Sequence, residues 1–344
     1  MADLLDRPNR IVPSSSRFED GSDTLYNVAM KMLLSNVDCL EPDVLKAVPG
    51  ALLDRIWRAA VRSSSSSLML WKLLARSGHF ASRHSKTVTA GCTGCNPLDL
   101  GAIVPLISSP SLNWVTHLSL ETVRLSTSEL VKVADLTSLR TLYLQAGSAQ
   151  EALPLDRIIR GWASSAKDRK SFGVLQMILL DTKDQLSPWT FHYLNAFPAL
   201  DTFALRTTVD QDALLPQAET YGWYGGKRPK FRHYARKWCQ AREDDEHSRR
   251  YWSDLVPSFV RKRNDLNTVV GDVPRLKVRC GAPDDRNFNW KELVCFERDW
   301  EWVSPEPELK AEDDKRRAGD EHPTKRRKIK ANKQRNLDDL LAGF

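Results

Sequence analysis

A short apolar frame recurs through the middle of the chain and limits what it can fold into. Val115-x-x-Leu118-x-Leu120 is followed by Leu139-x-x-Leu142-x-Leu144, Leu175-x-x-Ile178-x-Leu180 and Leu200-x-x-Phe203-x-Leu205, with a weaker copy at Val273-x-x-Leu276-x-Val278. The starts lie 24, 36, 25 and 73 residues apart. The last two apolar residues of each frame are two positions apart, so on a strand both point to the same side. The first turns inward from the preceding loop. Segments 128–133 and 154–159 read as returning helices that cover the same layer. Units of this kind share one apolar interior when stacked and leave the other strand face open as a concave parallel sheet.

Two of the spacings fall in the range of leucine-rich repeats, and the frame resembles that family, with insertions at the longer gaps. Val123, Gly147 and Lys183 stand where such repeats commonly carry Asn, so the copies are irregular. The resemblance implies an α/β fold built as an irregular leucine-rich-repeat solenoid with parallel strands. A doubly wound α/β sheet is the competing arrangement, since its strands are equally apolar.

Upstream, the spacing turns helical. Leu25, Val28, Ala29, Met32 and Leu33 form one stripe; Leu52, Leu53, Ile56 and Trp57 form another over 49–61; Leu70, Trp71 and Leu74 mark a third helix over 68–75. Serines 63–67 separate the last two, because their hydroxyls compete for backbone groups. The expected organisation is a mobile arm 1–22, a helical block 23–80, a polar linker 81–97, the repeat domain 98–303 and a disordered basic tail 304–344 ending in a short apolar and acidic motif.

Within the block, Thr24-Leu25-x-x-x-Ala29-x-x-x-Leu33 resembles the elongin C-binding box. Leu34-Ser35-Asn36-Val37-Asp38, with Val48-Pro49 and Leu52-Leu53, is similar to the opening of elongin A and of F-box proteins. An F-box-like block followed by leucine-rich repeats resembles the substrate receptors of cullin-RING ubiquitin ligases. The resemblance implies that Leu25, Ala29 and Leu33 enter the groove of an elongin C-like or F-box adaptor, with Pro49, Leu52 and Leu53 packing beside it. It also implies a cullin and a protein substrate as partners. The same residues can instead cap the first repeat, a need of every solenoid.

The chain carries 51 Lys plus Arg against 44 Asp plus Glu, a formal charge of +7. The segment 221–263 holds twelve cations, five anions and nine aromatic residues, so its own balance is also +7. Trp223, Tyr224, Arg232, Arg236, Trp238, Arg249, Arg250 and Trp252 are its candidate partner-binding residues. A helix from Phe231 to about Leu255 is expected, with Phe231, Tyr234 and Trp238 along one face. Three readings stay open: aromatics packed on the repeat core, a protein-docking surface, or nucleic acid held by phosphate contacts and stacking.

The remaining signals mostly exclude. No apolar run reaches the length of a membrane span, and residues 1–10 lack the apolar core of a secretory signal. Six cysteines are too sparse for a disulfide scaffold and point to a reducing compartment. Cys92-x-x-Cys95 has no second pair at ligand spacing, so neither a metal nor a cofactor is expected. No phosphate loop, nucleophile elbow or paired carboxylates appear, and the expectation is a protein that is not an enzyme. Lys325, Arg326, Arg327, Lys328 and Lys330 read as a nuclear import signal. Together these give a nuclear, non-catalytic substrate-recognition adaptor of a ubiquitin ligase. The alternative is a nuclear repeat scaffold in a DNA- or RNA-associated complex.

Overall fold

A computed structural model of the chain describes residues 25–80, 84–90, 98–121, 125–145, 154–168, 171–182, 186–187, 189–206, 214–225, 230–240, 255–260, 273–281 and 293–301. All belong to the first of two units, Met1–Trp302; the second, Val303–Phe344, lies outside them together with the expected import signal.

The described residues begin with four α-helices: α1 (Leu25–Ser35), α2 (Pro42–Lys46), α3 (Gly50–Arg62) and α4 (Leu68–Arg76). Ser63 ends α3 by returning its hydroxyl to the Ala59 carbonyl at 2.9 Å. Ser67 starts α4 by accepting from the Leu70 amide at 3.1 Å, which satisfies an orphan donor of the first turn. Leu53, Ile56, Trp57 and Ala60 of α3 join Leu70, Trp71 and Leu74 of α4 in one buried core.

The expected linker is broken by a strand, β1 (Ser85–Ala90). Its Ser and Thr content reads as loop, yet Thr87, Val88 and Thr89 are β-branched, and the exposed Thr87 and Thr89 alternate with the buried Val88 and Ala90. Half-buried strands favour that pattern.

Beyond it follow α5 (Leu100–Ile107), β2 (Val115–Leu120), α6 (Thr127–Val131), β3 (Leu139–Gln145), α7 (Leu155–Lys167), β4 (Met177–Asp181), α8 (Thr190–Leu194) and β5 (Thr202–Arg206). Then come α9 (Leu214–Thr220), β6 (Trp223–Gly225), α10 (Lys230–Gln240), a helical segment over 255–260, β7 (Arg275–Cys280) and β8 (Leu293–Arg298). The fold is mixed α/β around an eight-stranded sheet ordered β1-β7-β2-β3-β4-β5-β8-β6. The pairings from β1 through β5 are parallel, and β8 is antiparallel to both β5 and β6.

Every recurrent frame lands on a strand. Leu118 and Leu120, Leu142 and Leu144, Ile178 and Leu180, Phe203 and Leu205 all enter the apolar layer shared with α5 to α8. Neighbouring helices in that layer are pinned by polar bonds. Trp162 of α7 donates its indole N–H to the Leu130 carbonyl of α6 at 2.9 Å, and the Asp156 carboxylate accepts from Thr190 Oγ1 at 2.7 Å at the start of α8. The fifth frame departs from serial order. Its strand β7 does not follow β5 but lies between β1 and β2, with Leu276 and Val278 continuing the same apolar layer.

The packing separates structural from spare apolar residues. Leu142→Ala, at the centre of β3 with no exposed surface, should destabilise the chain by about 2–5 kcal/mol in urea unfolding. Leu25→Ala should stay within about 0.5 kcal/mol of wild type, because Leu25 is 85% exposed.

Candidate functional site

Helix α1, LYNVAMKMLLS, is apolar almost all round, so it cannot hide every large side chain against one neighbour. Met30 is buried and Leu33 and Leu34 pack against the core. Most of the expected stripe faces water: Leu25, Val28, Ala29 and Met32 are exposed, with Met32 at 63%. Leu52, at 39%, and Val44 are exposed on the neighbouring helices, and Pro49 is exposed at the start of α3. Of the six expected docking residues, Leu25, Ala29, Pro49 and Leu52 therefore lie at the surface and Leu33 is half-buried. Leu53 is a correction. It has no exposed surface, because it sits one position off Leu52 on α3 and points into the core.

Beside this surface runs an open groove of about 510 Å³ between α1 and α3. Tyr26, Asn27 and Met30 of α1 form one wall; Arg55, Arg58, Ala59 and Arg62 of α3 form the other. The three arginines fall at i, i+3 and i+7, one stripe of the helix. Arg58 Nε donates to the Asp54 carbonyl at 3.2 Å. Among the described residues none of the three is in an ion pair. Asp54 of the same helix turns inward, where its carboxylate meets His84 Nε2 at 2.9 Å.

The sheet presents a second surface on the side away from α5 to α8. Over β4, β5 and β8 it is apolar, and Met177, Leu179, Ala204, Leu293 and Cys295 pack there against Phe231, Ala235 and the 255–260 segment. The described aromatic residues of the basic insertion are thereby placed. Phe231 and Phe259 are core, with ring centroids 4.8 Å apart, and Tyr234 packs partly against them. Trp223 is a further correction. It is fully buried and donates its indole N–H to Asn195 Oδ1 at 2.8 Å, so it is not available to a partner. Tyr224 and Arg236 are exposed. The side chains of Arg232 and Trp238, and residues Arg249, Arg250 and Trp252, lie outside the described residues, as do Cys92 and Cys95. Of the expected long helix the described part is Lys230–Gln240, and 241–254 are likewise outside the described residues.

Over β1, β7 and β2 the same face is polar. Parallel register sets Arg275 beside Ser85, Lys277 between Thr87 and His117, and Arg279 between Thr89 and Ser119. The three hydroxyls of β1 are exposed and the three cations of β7 are half-buried. The period-two run Arg275-Leu276-Lys277-Val278-Arg279 encodes this row: alternate residues share one face of a strand. That signal was available in the sequence and was eclipsed by the denser charge of 221–263. His117, almost fully buried, shares a 2.9 Å bond between Nδ1 and Thr141 Oγ1, while its Nε2 has no hydrogen-bond partner among the described residues. It borders a cavity of about 10 Å³, room for about one water. Among the described residues no group of His, Cys, Asp or Glu could hold a metal ion. No described helix is long and apolar enough to cross a membrane.

Comparison with protein-family models, with curated proteins and with solved structures finds no match to this chain.

Burial holds the His117 imidazole well below its ordinary pKa of 6.5, and Arg140, Arg275 and Lys277 push it the same way. The unfolded chain takes up a proton near that value and the folded chain does not, so stability should fall as pH drops below about 6.5. The slope from this one site is at most about 1.4 kcal/mol per pH unit. Urea unfolding at neutral and mildly acidic pH should show a smaller loss for His117→Gln than for wild type.

Proposed function

We propose that the chain is a non-catalytic recognition adaptor whose helical block docks on the adaptor subunit of a cullin-RING ubiquitin ligase and whose sheet surface holds a protein substrate. In this reading the helical block is F-box-like and the sheet belongs to an irregular leucine-rich-repeat solenoid. The observation that carries it is the outward apolar face of α1. A helix that buries Met30, half-buries Leu33 and Leu34 and exposes Leu25, Val28 and Met32 is suited to entering a partner's groove. Burying Leu25 and Met32 in that groove would contribute about 1.5–3 kcal/mol each. The polar half of the sheet face, with the cations of β7 and the hydroxyls of β1, supports a separate substrate-holding surface. The ligase would supply the chemistry, and this chain the proximity and orientation. The adaptor, the cullin, the substrate and a nuclear location guided by residues 325–330 all form part of this proposal. A role in a DNA- or RNA-associated complex draws less support, because Phe231, Phe259 and Trp223 are occupied in the core and unavailable for base stacking.

Co-purification tests the proposal. Wild type should recover elongin C or the F-box adaptor, and a Leu25→Asp, Met32→Asp variant should recover at least about tenfold less at an unchanged circular dichroism spectrum. Equal recovery by both forms, or none by wild type, would overturn it.

A further inference from the structure

We infer that the groove between α1 and α3 is a binding site for an acidic helix of a partner protein. The inference rests on the docking role proposed for the helical block and names the chemistry of what docks there.

Charge and shape point the same way. Arg55, Arg58 and Arg62 line one wall, and none meets a carboxylate among the described residues. Arginine forks match carboxylates in a bidentate manner and hold them more strongly than neutral hydrogen bonds do. From Arg55 to Arg62 the stripe advances seven residues, about 10 Å along the helix. A single small anion would touch one end of that row. A helix with acidic residues at i, i+3 or i+4, and i+7 repeats the spacing along its whole length.

The rest of the lining selects the occupant's class. Met30 and Ala59 give the groove an apolar component, which accepts the apolar edge of an amphipathic helix. Tyr26 is the one aromatic residue in the lining, so no row exists on which successive bases could stack. The groove volume, about 510 Å³, lies within the roughly 300–1,000 Å³ typical of binding clefts. A helix laid there would pack against α1 and α3 together.

The test measures binding to the full-length chain by fluorescence anisotropy. The probe is a labelled helical peptide with Glu at i, i+4 and i+7 and Leu on the adjoining stripe. Its Gln counterpart and a labelled oligodeoxythymidine serve as comparisons. The Glu peptide should bind in a salt-dependent manner, and the Gln peptide at least about tenfold more weakly. Arg55→Gln, Arg58→Gln, Arg62→Gln together should lower affinity for the Glu peptide by about tenfold or more, at an unchanged circular dichroism spectrum. Replacing the same three by Lys should restore part of it, since charge returns without the fork. A variant with Gln at Lys325, Arg326, Arg327, Lys328 and Lys330 should bind like wild type. The inference is overturned by equal affinity in the arginine variant, by loss of binding in the tail variant alone, or by tighter binding of the oligonucleotide. Because the assay uses the purified chain, peptide binding without adaptor recovery overturns the ligase reading alone. Adaptor recovery that depends on Leu25 and Met32, with no peptide binding, overturns this inference alone.

Discussion

Strand β7 bridges β1 to the rest of the sheet. β1 and β2 do not pair with each other; each is bonded in parallel to Arg275–Cys280, which lies between them. The ladder along β7 therefore ties β1, and through it the N-terminal helices, to the run β2-β3-β4-β5. A second link is short and buried, where Asp54 of α3 meets His84 just before β1 at 2.9 Å. His84 in turn stacks on Phe80 with centroids 4.7 Å apart. A strand from late in the chain at this position requires closure of a very long loop before its contacts form. The entropy of such closure grows slowly with length, but long-range pairing slows folding.

The same strand divides the sheet's two faces by chemistry. Leu276, Val278 and Cys280 extend the apolar layer beneath α5 to α8, while Arg275, Lys277 and Arg279 look out on the other side. Further along, that outer face turns apolar and is covered by α10 and the 255–260 segment. Half of the sheet is thus closed by packing, and the half around β7 remains polar. At the other end, α1 has more apolar surface than its neighbours can cover, and α3 carries more positive charge than the described carboxylates neutralise. Among the described residues these two local imbalances go uncorrected, and the proposed docking surfaces are placed on them.

Much of this was legible in residue order. The strands β2 to β5 follow from the apolar frame, and α3 and α4 follow from Leu52 to Trp57 and Leu70 to Leu74 with serines between them. Orientation was harder to read. A helix as uniformly apolar as α1 shows a stripe in several phases, and only packing decides that Met30 goes in and Leu25 stays out. Leu52 and Leu53 present the same difficulty at single-residue scale: adjacent positions on a helix are about 100° apart, so one faces outward and the other is core. Trp223 looked like part of a binding surface because it sits among cations, but Asn195, 28 residues earlier, accepts its indole N–H.

By itself, the sequence determined a mixed α/β chain with parallel strands, an apolar helical start and an excess of positive charge. Periodicity and composition act locally, over a turn of helix or a few residues of strand. The tertiary structure alone decided that β7 sits between β1 and β2, that Trp223, Phe231 and Phe259 of the insertion are core, and that three arginines of α3 line a groove with Tyr26. Each depends on which distant segment lies alongside, a matter of long-range packing and ladder hydrogen bonds. The repeated frame thus specified which face of each strand is buried, and the sheet order specified which outer faces remain exposed to a partner.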